Sequence, residues 1–512
     1  TSDGSVASFQ SSLDGIQARL QVSFAKLAAD KEAAFLLMRS EIEKWEKNEK
    51  QFHRLLSENE TLSSTLPADK STLSRQAVGF DDHGVDHDDN SSDDESAEQQ
   101  AQPEETPAET IAAPARPAGS TALIPDEPAT RRAVLPAPVS GEDISLLSIL
   151  RKNVGKDLST IAMPVSLNEP INVLQRLCEE LEYSELLDKA ASLPDSLDRM
   201  VWVAAFAVSG YANSQWRAAR KPFNPLLGET FEFVSPEKGF KYISEKVSHY
   251  PPVMACHAES IHHWTFSMDS RAKTKFWGKS MELIPNGTIH INFEKSGDHY
   301  TIIKPSTWMR NLIAGTKYLD HTGELKVINH TTRETCVLTF KESSMFGGTK
   351  HEVVGHVLNA NGAKQKTLQG RWSESMMEEV APNKLERLWK CNSPPPNHMK
   401  YYGFTEFTTH MNEITPALES KLPKTDTRFR PDQSLFERGQ VEEADLEKLR
   451  VEQKQRELRK TMEAQDQAWE VRWFEKKDDP HTEDPEGQTW RYKGGYWESR
   501  ETGEWSEKVF LW

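Results

Sequence analysis

Cysteine is scarce in this chain: four in 512 residues, at positions 178, 256, 336 and 391. None forms a C-x-x-C zinc pair, and four thiols over this length do not make a disulfide framework. Buried free thiols in a reducing compartment are expected. Long apolar runs are absent too. The strongest, Met200–Val208 (MVWVAAFAV), has nine residues, whereas a membrane span needs about 20. No charged-then-apolar leader opens the chain, so membrane contact is expected to be peripheral. Enzyme signatures are also missing. There is no G-x-S-x-G elbow and no G-x-x-x-x-G-K-[ST] loop. A cysteine phosphatase needs arginine six residues after its cysteine, and Ser184, His262, Glu342 and Asn397 stand there instead. His249, His257, His262 and His263 have no H-E-x-x-H or cysteine company. No catalytic residue, metal ligand or cofactor site is assigned.

Basic residues are missing from one stretch. Between Arg75 and Arg116 there is no Lys or Arg, but there are twelve carboxylates. They account for most of the net charge of −17 and leave −5 for the remainder. The rest of the chain is near neutral and can approach an anionic surface through a local basic patch. No basic stripe suited to nucleic acid is present.

What is present falls into three parts. In residues 1–75, Ile16, Leu20, Phe24 and Leu27, then Met38, Ile42, Trp45, Phe52 and Leu56, recur at helical steps without an interior Gly or Pro. This predicts an amphipathic helix that pairs with a second copy as a coiled coil. Residues 76–140 are acidic, Pro- and Ala-rich and poor in aromatics, the composition of a disordered linker. Residues 141–512 read as a folded domain. Helical patterning from Pro170 to Leu187 and through the apolar run gives way, after Lys221, to strands such as FEFVS, GTIHINFEK and ETCVLTFKE. Turn signals stand at Pro285-Asn286-Gly287, Thr322-Gly323 and Asn361-Gly362. A mainly β fold with flanking helices, one large antiparallel sheet or barrel, follows. A charged helix is expected from about Val441 to Ala468, then a Trp-rich tail.

Three stretches suggest anion capture. In KPFNPLLGE, Lys221–Glu229, two prolines stiffen the backbone around Asn224, with Lys221 leading in. In EKVSHYPP, His249 offers an imidazole that titrates near neutrality. On the late helix Lys448, Glu452 and Arg456 share a face at i, i+4 and i+8. Singly, each reads equally well as an ordinary loop, a strand end or a solvated ion-pair ladder.

Together they resemble the signatures of the oxysterol-binding protein family over about 370 residues. KPFNPLLGETFE and EKVSHYPP are similar to two of its fingerprints, and RFRPDQ (428–433) with the helix after it to a third. The resemblance implies an incomplete antiparallel β-barrel around a hydrophobic tunnel that holds either one sterol or one phosphatidylinositol 4-phosphate. It implies an N-terminal lid from Ile144 to about Met163, with Leu146, Leu147 and Leu150 on its apolar side. Lys221, Asn224, His249, Tyr250, Lys448 and Arg456 are implied to hold the phosphoinositide head, with Glu452 orienting the flanking cations. Exchange of the two lipids between endoplasmic reticulum and Golgi membranes, from the cytoplasm, is the implied activity. The coiled coil and linker are similar to those of the founding members, where a pleckstrin-homology domain comes first. A start at Thr1 fits a chain that continues upstream.

Three departures stand out. The family's glutamine is Lys246 here and its second histidine is Tyr250, so the phosphoinositide arm is expected to be weakened by ~1.5–3 kcal/mol. The two-phenylalanine motif that engages an endoplasmic reticulum receptor is absent from the linker, which has only Phe80. A sterol sensor with little net transfer and a carrier of another lipid, such as phosphatidylserine, remain alternatives.

Overall fold

In the computed structural model the chain divides into two units, Thr1–Gln100 and Ala101–Trp512. The structure describes residues 105–106, 131–139, 163–217, 220–277, 280–312, 316–343, 350–482, 484, 486–505 and 511–512, all in the second unit. The expected coiled coil, and the lid residues Ile144, Leu146, Leu147 and Leu150, lie outside them.

Helices come first. Val173–Cys178 starts at a capping box in which Asn172 and Gln175 satisfy each other's backbone N–H groups. Ser196–Ser209 starts where the Asp195 carboxylate accepts from the Asp198 N–H. That second helix carries MVWVAAFAV and is apolar nearly all round because it is covered nearly all round. It lies across strands of the large sheet, and eight of its nine apolar-run residues are buried in the main core. A run too short for a bilayer thus packs against one face of a sheet.

The sheet is an antiparallel meander. From Thr230–Ser235 it passes through Phe240–His249, Pro252–Ser260, Trp264–Phe276, Ile289–Phe293, Asp298–Ile303 and Tyr318–Asn329. It continues through Thr335–Phe340, Glu352–Leu358, Lys364–Arg371 and Ser375–Ala381 to Lys384–Lys390. Among the described residues the first and last strands do not pair with each other, so the barrel stays incomplete. This is the mainly β fold with flanking helices that the sequence predicts. The sheet also branches. The far half of Trp264–Phe276 pairs with Met281–Asn286, which pairs with Ser306–Arg310, which pairs with Tyr318–Thr322. Thr322-Gly323, expected as a turn, lies inside the strand Tyr318–Asn329. Gly323 has φ +115° at the point where the strand leaves the branch and joins the main sheet, a bend glycine permits.

Two pieces of the stretch read as linker lie against the domain. Glu105–Thr106 pairs in parallel with Lys384–Lys390. In residues 131–139, Leu135 is buried beside Phe223 and Phe436, and Arg132 donates to Glu437 (2.6 Å) and the Thr409 carbonyl (2.6 Å). All four cysteines are free, three of them buried.

The Trp-rich tail forms a hairpin, Phe474–Asp478 with Gln488–Tyr492, and a helix, Tyr496–Thr502. Trp473, Phe474, Tyr496 and Trp497 pack on Val234, Ile243, Val247, Val253 and Ala255. This explains why Thr230–Ser235 is buried on both faces instead of alternating. Beneath the tail the buried Glu232 carboxylate accepts from Arg500 Nε (2.7 Å) and the Tyr496 hydroxyl (2.6 Å). Glu232→Ala would leave the Arg500 guanidinium buried without its main carboxylate, so we expect a loss of about 3–5 kcal/mol in urea unfolding. A change below about 1 kcal/mol would contradict this docking of the tail.

Candidate anion-binding site

The site begins with a loop held from behind. The strand Lys221–Phe223 runs parallel to Asn168–Asn172, and the chain then turns through Asn224–Gly228. Glu229, fully buried, closes the loop. Its carboxylate accepts from the Leu226 N–H (2.7 Å), Asn172 Nδ2 (2.7 Å) and Arg430 Nη1 (3.1 Å). Arg430 also donates to the Asn224 carbonyl (2.9 Å) and forks onto Asp432. Leu227 N–H donates to Gln455 of the helix Val441–Ala464 (3.2 Å), while Leu226 packs on Val451. That helix therefore lies over the loop.

Lys246 is the second brace. Its ammonium is buried and donates to Asn224 Oδ1 (3.0 Å) and the Pro225 carbonyl (2.7 Å). This engages the amide oxygen of Asn224 inward and leaves its Nδ2 as an outward donor. Burial pushes the Lys246 pKa down to about 8, with Arg430 and Arg459 adding to the effect and Glu229 opposing it. The lysine substituting for the family's glutamine is thus a strut behind the loop.

His249 owes its position to an irregularity. The pairing of Phe240–His249 with Pro252–Ser260 slips between Lys246 and Ser248. One extra residue there reverses the alternation, as a bulge does, and brings His249 to the side of Lys246. Burial, then the charges of Lys246 and Arg459, lower its pKa to about 4. Its Nδ1 is buried with no hydrogen-bond partner among the described residues.

On the covering helix, Lys448 donates to Glu452 (2.7 Å) and the Met163 carbonyl (2.9 Å). Arg456 stands 4.0 Å from the other Glu452 oxygen and donates to Gln453 (3.1 Å). Lys221 has an exposed side chain, yet the surrounding protein desolvates its ammonium. Its pKa falls for that reason and because Lys448 is close, with Glu452 pulling the other way.

Lys221, Lys448 and Glu452 therefore form one group, and Asn224, Lys246 and His249 another. Both rest on the loop–helix contact. Arg456 sits at the exposed edge. Tyr250 is 94% exposed at the hairpin tip after His249 and contacts none of them; the Tyr250–Pro251 bond is cis. Arg459 is a residue that the i, i+4, i+8 spacing does not single out. It is eleven residues beyond Lys448, about three full helical turns, so it shares the stripe of Lys448 and Gln455 more closely than Arg456 does. A template stopping at i+8 misses it. Its Nε is buried and unpartnered among the described residues. Lys221, Arg459 and His249, each with open hydrogen-bonding capacity among the described residues, suit a phosphate-sized dianion.

Comparison with known proteins identifies the family. The oxysterol-binding protein family model matches residues 145–501. Human oxysterol-binding protein-related protein 3 is 47% identical over 372 residues, 72% of this chain and 41% of that protein. The chain thus spans about two fifths of that relative's length. The crystal structure of the Saccharomyces cerevisiae Osh3 ORD in complex with PI(4)P is similar at TM-score 0.67 and 39% identity, over 75% of this chain and 99% of that one. That of the Osh1 ORD domain in complex with cholesterol is similar at TM-score 0.69 and 35% identity, over 75% and 94%.

Gly228 tests the packing of the loop. Its φ is +79°, and a Cβ there would sit 2.1 Å from the Trp469 ring. Gly228→Ala should cost about 2–3 kcal/mol, the sum of backbone strain and overpacking. A lower melting temperature, partly restored by adding Trp469→Ala, is expected. An unchanged melt would show that the loop is not held in this way.

Proposed function

The chain belongs to the oxysterol-binding protein family, and we propose that it carries one lipid at a time, a sterol or phosphatidylinositol 4-phosphate, between apposed membranes. The family binds lipids and is not enzymatic. The two cargoes are supported by the related domains bound to PI(4)P and to cholesterol. The reading rests in this chain on one observation: His249 Nδ1 and Arg459 Nε are buried without partners, beside a loop that offers Asn224 Nδ2 and Lys221. A phosphomonoester here would accept from all four, while its acyl chains, or a whole sterol, would occupy the apolar tunnel of the barrel. Exchange from the cytoplasmic side between endoplasmic reticulum and Golgi membranes, by a dimer joined through the N-terminal helix, belongs to the same proposal.

Tyr250 leaves a gap in the grip, because a phenol pointing into solvent gives nothing to a bound phosphate. Arg459 supplies a charge from the helix side. The head site is therefore read as built from His249, Arg459 and the loop, with nothing contributed by position 250.

Two results test this. Sterols need no cationic contact, so Lys221→Ala and Arg459→Gln should each weaken phosphatidylinositol 4-phosphate extraction from vesicles. The expected loss is roughly ten- to a hundredfold, one charge-assisted bond, with sterol extraction within about twofold of native. Parallel loss of both cargoes would sink the assignment. A chain that binds both yet moves neither between donor and acceptor vesicles would be a sensor.

The second is pH. With the folded-state pKa of His249 near 4, below the ordinary 6.5, its imidazole is neutral at pH 7. The unfolded chain takes the proton first, so this group's contribution to stability is full above pH 6.5 and declines toward pH 4. A bound phosphate raises the His249 pKa, so lowering pH from 7 to 5 should favour phosphoinositide binding through this residue. The phosphate's own protonation acts oppositely in every variant. The measurement is therefore the difference in pH slope between the native chain and His249→Gln, and identical slopes would remove His249 from the site.

A further inference from the structure

The strand Trp264–Phe276 outruns its neighbour. Met254 pairs with Ser270, which sets Ala272 level with Pro252, at the hairpin that carries His249 and Tyr250. The strand then continues to Phe276, about 13 Å farther at a strand's rise per residue. This extension pairs with Met281–Asn286 and forms the free end of the branch, on the same end of the sheet as the candidate site. Residues 272–277 (AKTKFW) are all exposed, on both faces of the ribbon.

Its composition is unusual for a surface that meets only water. Trp277 is 58% and Phe276 49% exposed. Trp277 lies tilted against Trp308, at 6.3 Å between ring centroids, and its indole N–H donates to Glu282 (3.1 Å). The ring is thus fixed in place with its apolar surface open. Arg310 lies 4.5 Å over Trp308 but is neutralised by Glu342 and Asp320. Arg271 is likewise paired with Asp269 and Asp484. Lys273 and Lys275 are different: no carboxylate pairs with either among the described residues. The tip therefore combines two exposed aromatic side chains with two unneutralised lysines, on the same end of the sheet as the 94% exposed Tyr250.

We propose that this ribbon is a docking surface for an anionic lipid bilayer, with Trp277 and Phe276 entering the interface and Lys273 and Lys275 lying against the lipid head groups. Aromatic rings favour that boundary, and each nearby lysine adds attraction to an anionic leaflet. A second copy of the chain fits less well, because the unpaired lysines of two such edges would repel. The proposal deepens the carrier reading, on which the choice of a lipid partner rests, by naming how the mouth end is held at a membrane.

The test is flotation of the full chain with vesicles of phosphatidylcholine alone or with phosphatidylglycerol, free of sterol, phosphoinositide and phosphatidylserine so that no candidate cargo is present. The native chain should partition onto the phosphatidylglycerol vesicles. Phe276→Ala with Trp277→Ala, and separately Lys273→Glu with Lys275→Glu, should each lower that partition roughly tenfold. If the aromatic pair lowers the melting temperature, the lysine pair at fully exposed positions decides. Native-like flotation of the variants, or no flotation of the native chain, would overturn the proposal. So would a change of oligomeric state in light scattering in place of lost flotation, which would make the ribbon a protein contact. Sterol delivered from cyclodextrin tests the carrier reading separately: it should bind native and variant chains alike, and its failure to bind the native chain would count against the carrier alone.

Discussion

A carboxylate buried beneath the surface, that of Glu229, sets the geometry of the whole candidate site. A lone charge there would be prohibitively costly, so it must be surrounded by donors. The donors come from distant parts of the chain: Asn172 from the first helix cap, Leu226 from the loop, and Arg430 from the segment before the late helices. Satisfying one carboxylate therefore draws three separate regions together, and Lys246 completes the frame by pairing its main chain with Gly228 and Glu229. The loop's outward groups, Lys221 and Asn224 Nδ2, are presented because every inward group is already used.

The cations of the region consequently divide by role. Arg428, Arg430 and Lys246 are enclosed and fully engaged with carboxylates and carbonyls. They stabilise the frame, and their own hydrogen-bonding capacity is spent inside it. Lys221 and Arg456 retain capacity toward solvent, and Arg459 retains it at a buried Nε. Lys448 stands between the two groups, shared by Glu452 and the Met163 carbonyl. Family fingerprints mix these roles: of the RFRPDQ stretch, both arginines are engaged inside the frame, and the cations with open capacity stand on the helix that follows and on the loop.

Much of this is legible in residue order. Among the described residues, the helix carrying the apolar run, the long run of strands, the Asn361-Gly362 turn and the late charged helix stand where periodicity and turn chemistry put them, while Pro170–Asn172, read as helical, belong to a short strand. The failures have physical causes. Gly323 resembles a turn because glycine after threonine often is one, but the same freedom serves a strand that changes sheets. The role of Lys246 depends on what lies across from it, and no local pattern encodes the opposing Asn224. Arg459 is hidden from a spacing template that ends one turn early, although three full turns from Lys448 is available arithmetic. The tail's tryptophans announce burial but not their target, the outer face of strands 230–235 and 240–249.

His249 illustrates why the site is recognisable by motif while strand alternation alone would misplace it. In a regular strand, residues 245, 247 and 249 would point the same way. Glu245 and Val247 do face the tail, Glu245 accepting from the Arg472 and Trp473 N–H groups and Val247 packing under the tail's aromatics. A regular continuation would have sent the imidazole there too, away from every cation of the site. The slip between Lys246 and Ser248 inserts one residue and reverses that direction. His249 then meets Lys246 and Arg459, while Tyr250, next along the chain, is turned outward into solvent. A histidine at 250 would inherit that outward backbone direction and would have to reach back over the hairpin to touch a phosphate. The bulge, more than the identity of residue 250, decides which side chain of this hairpin faces the cations of the candidate site.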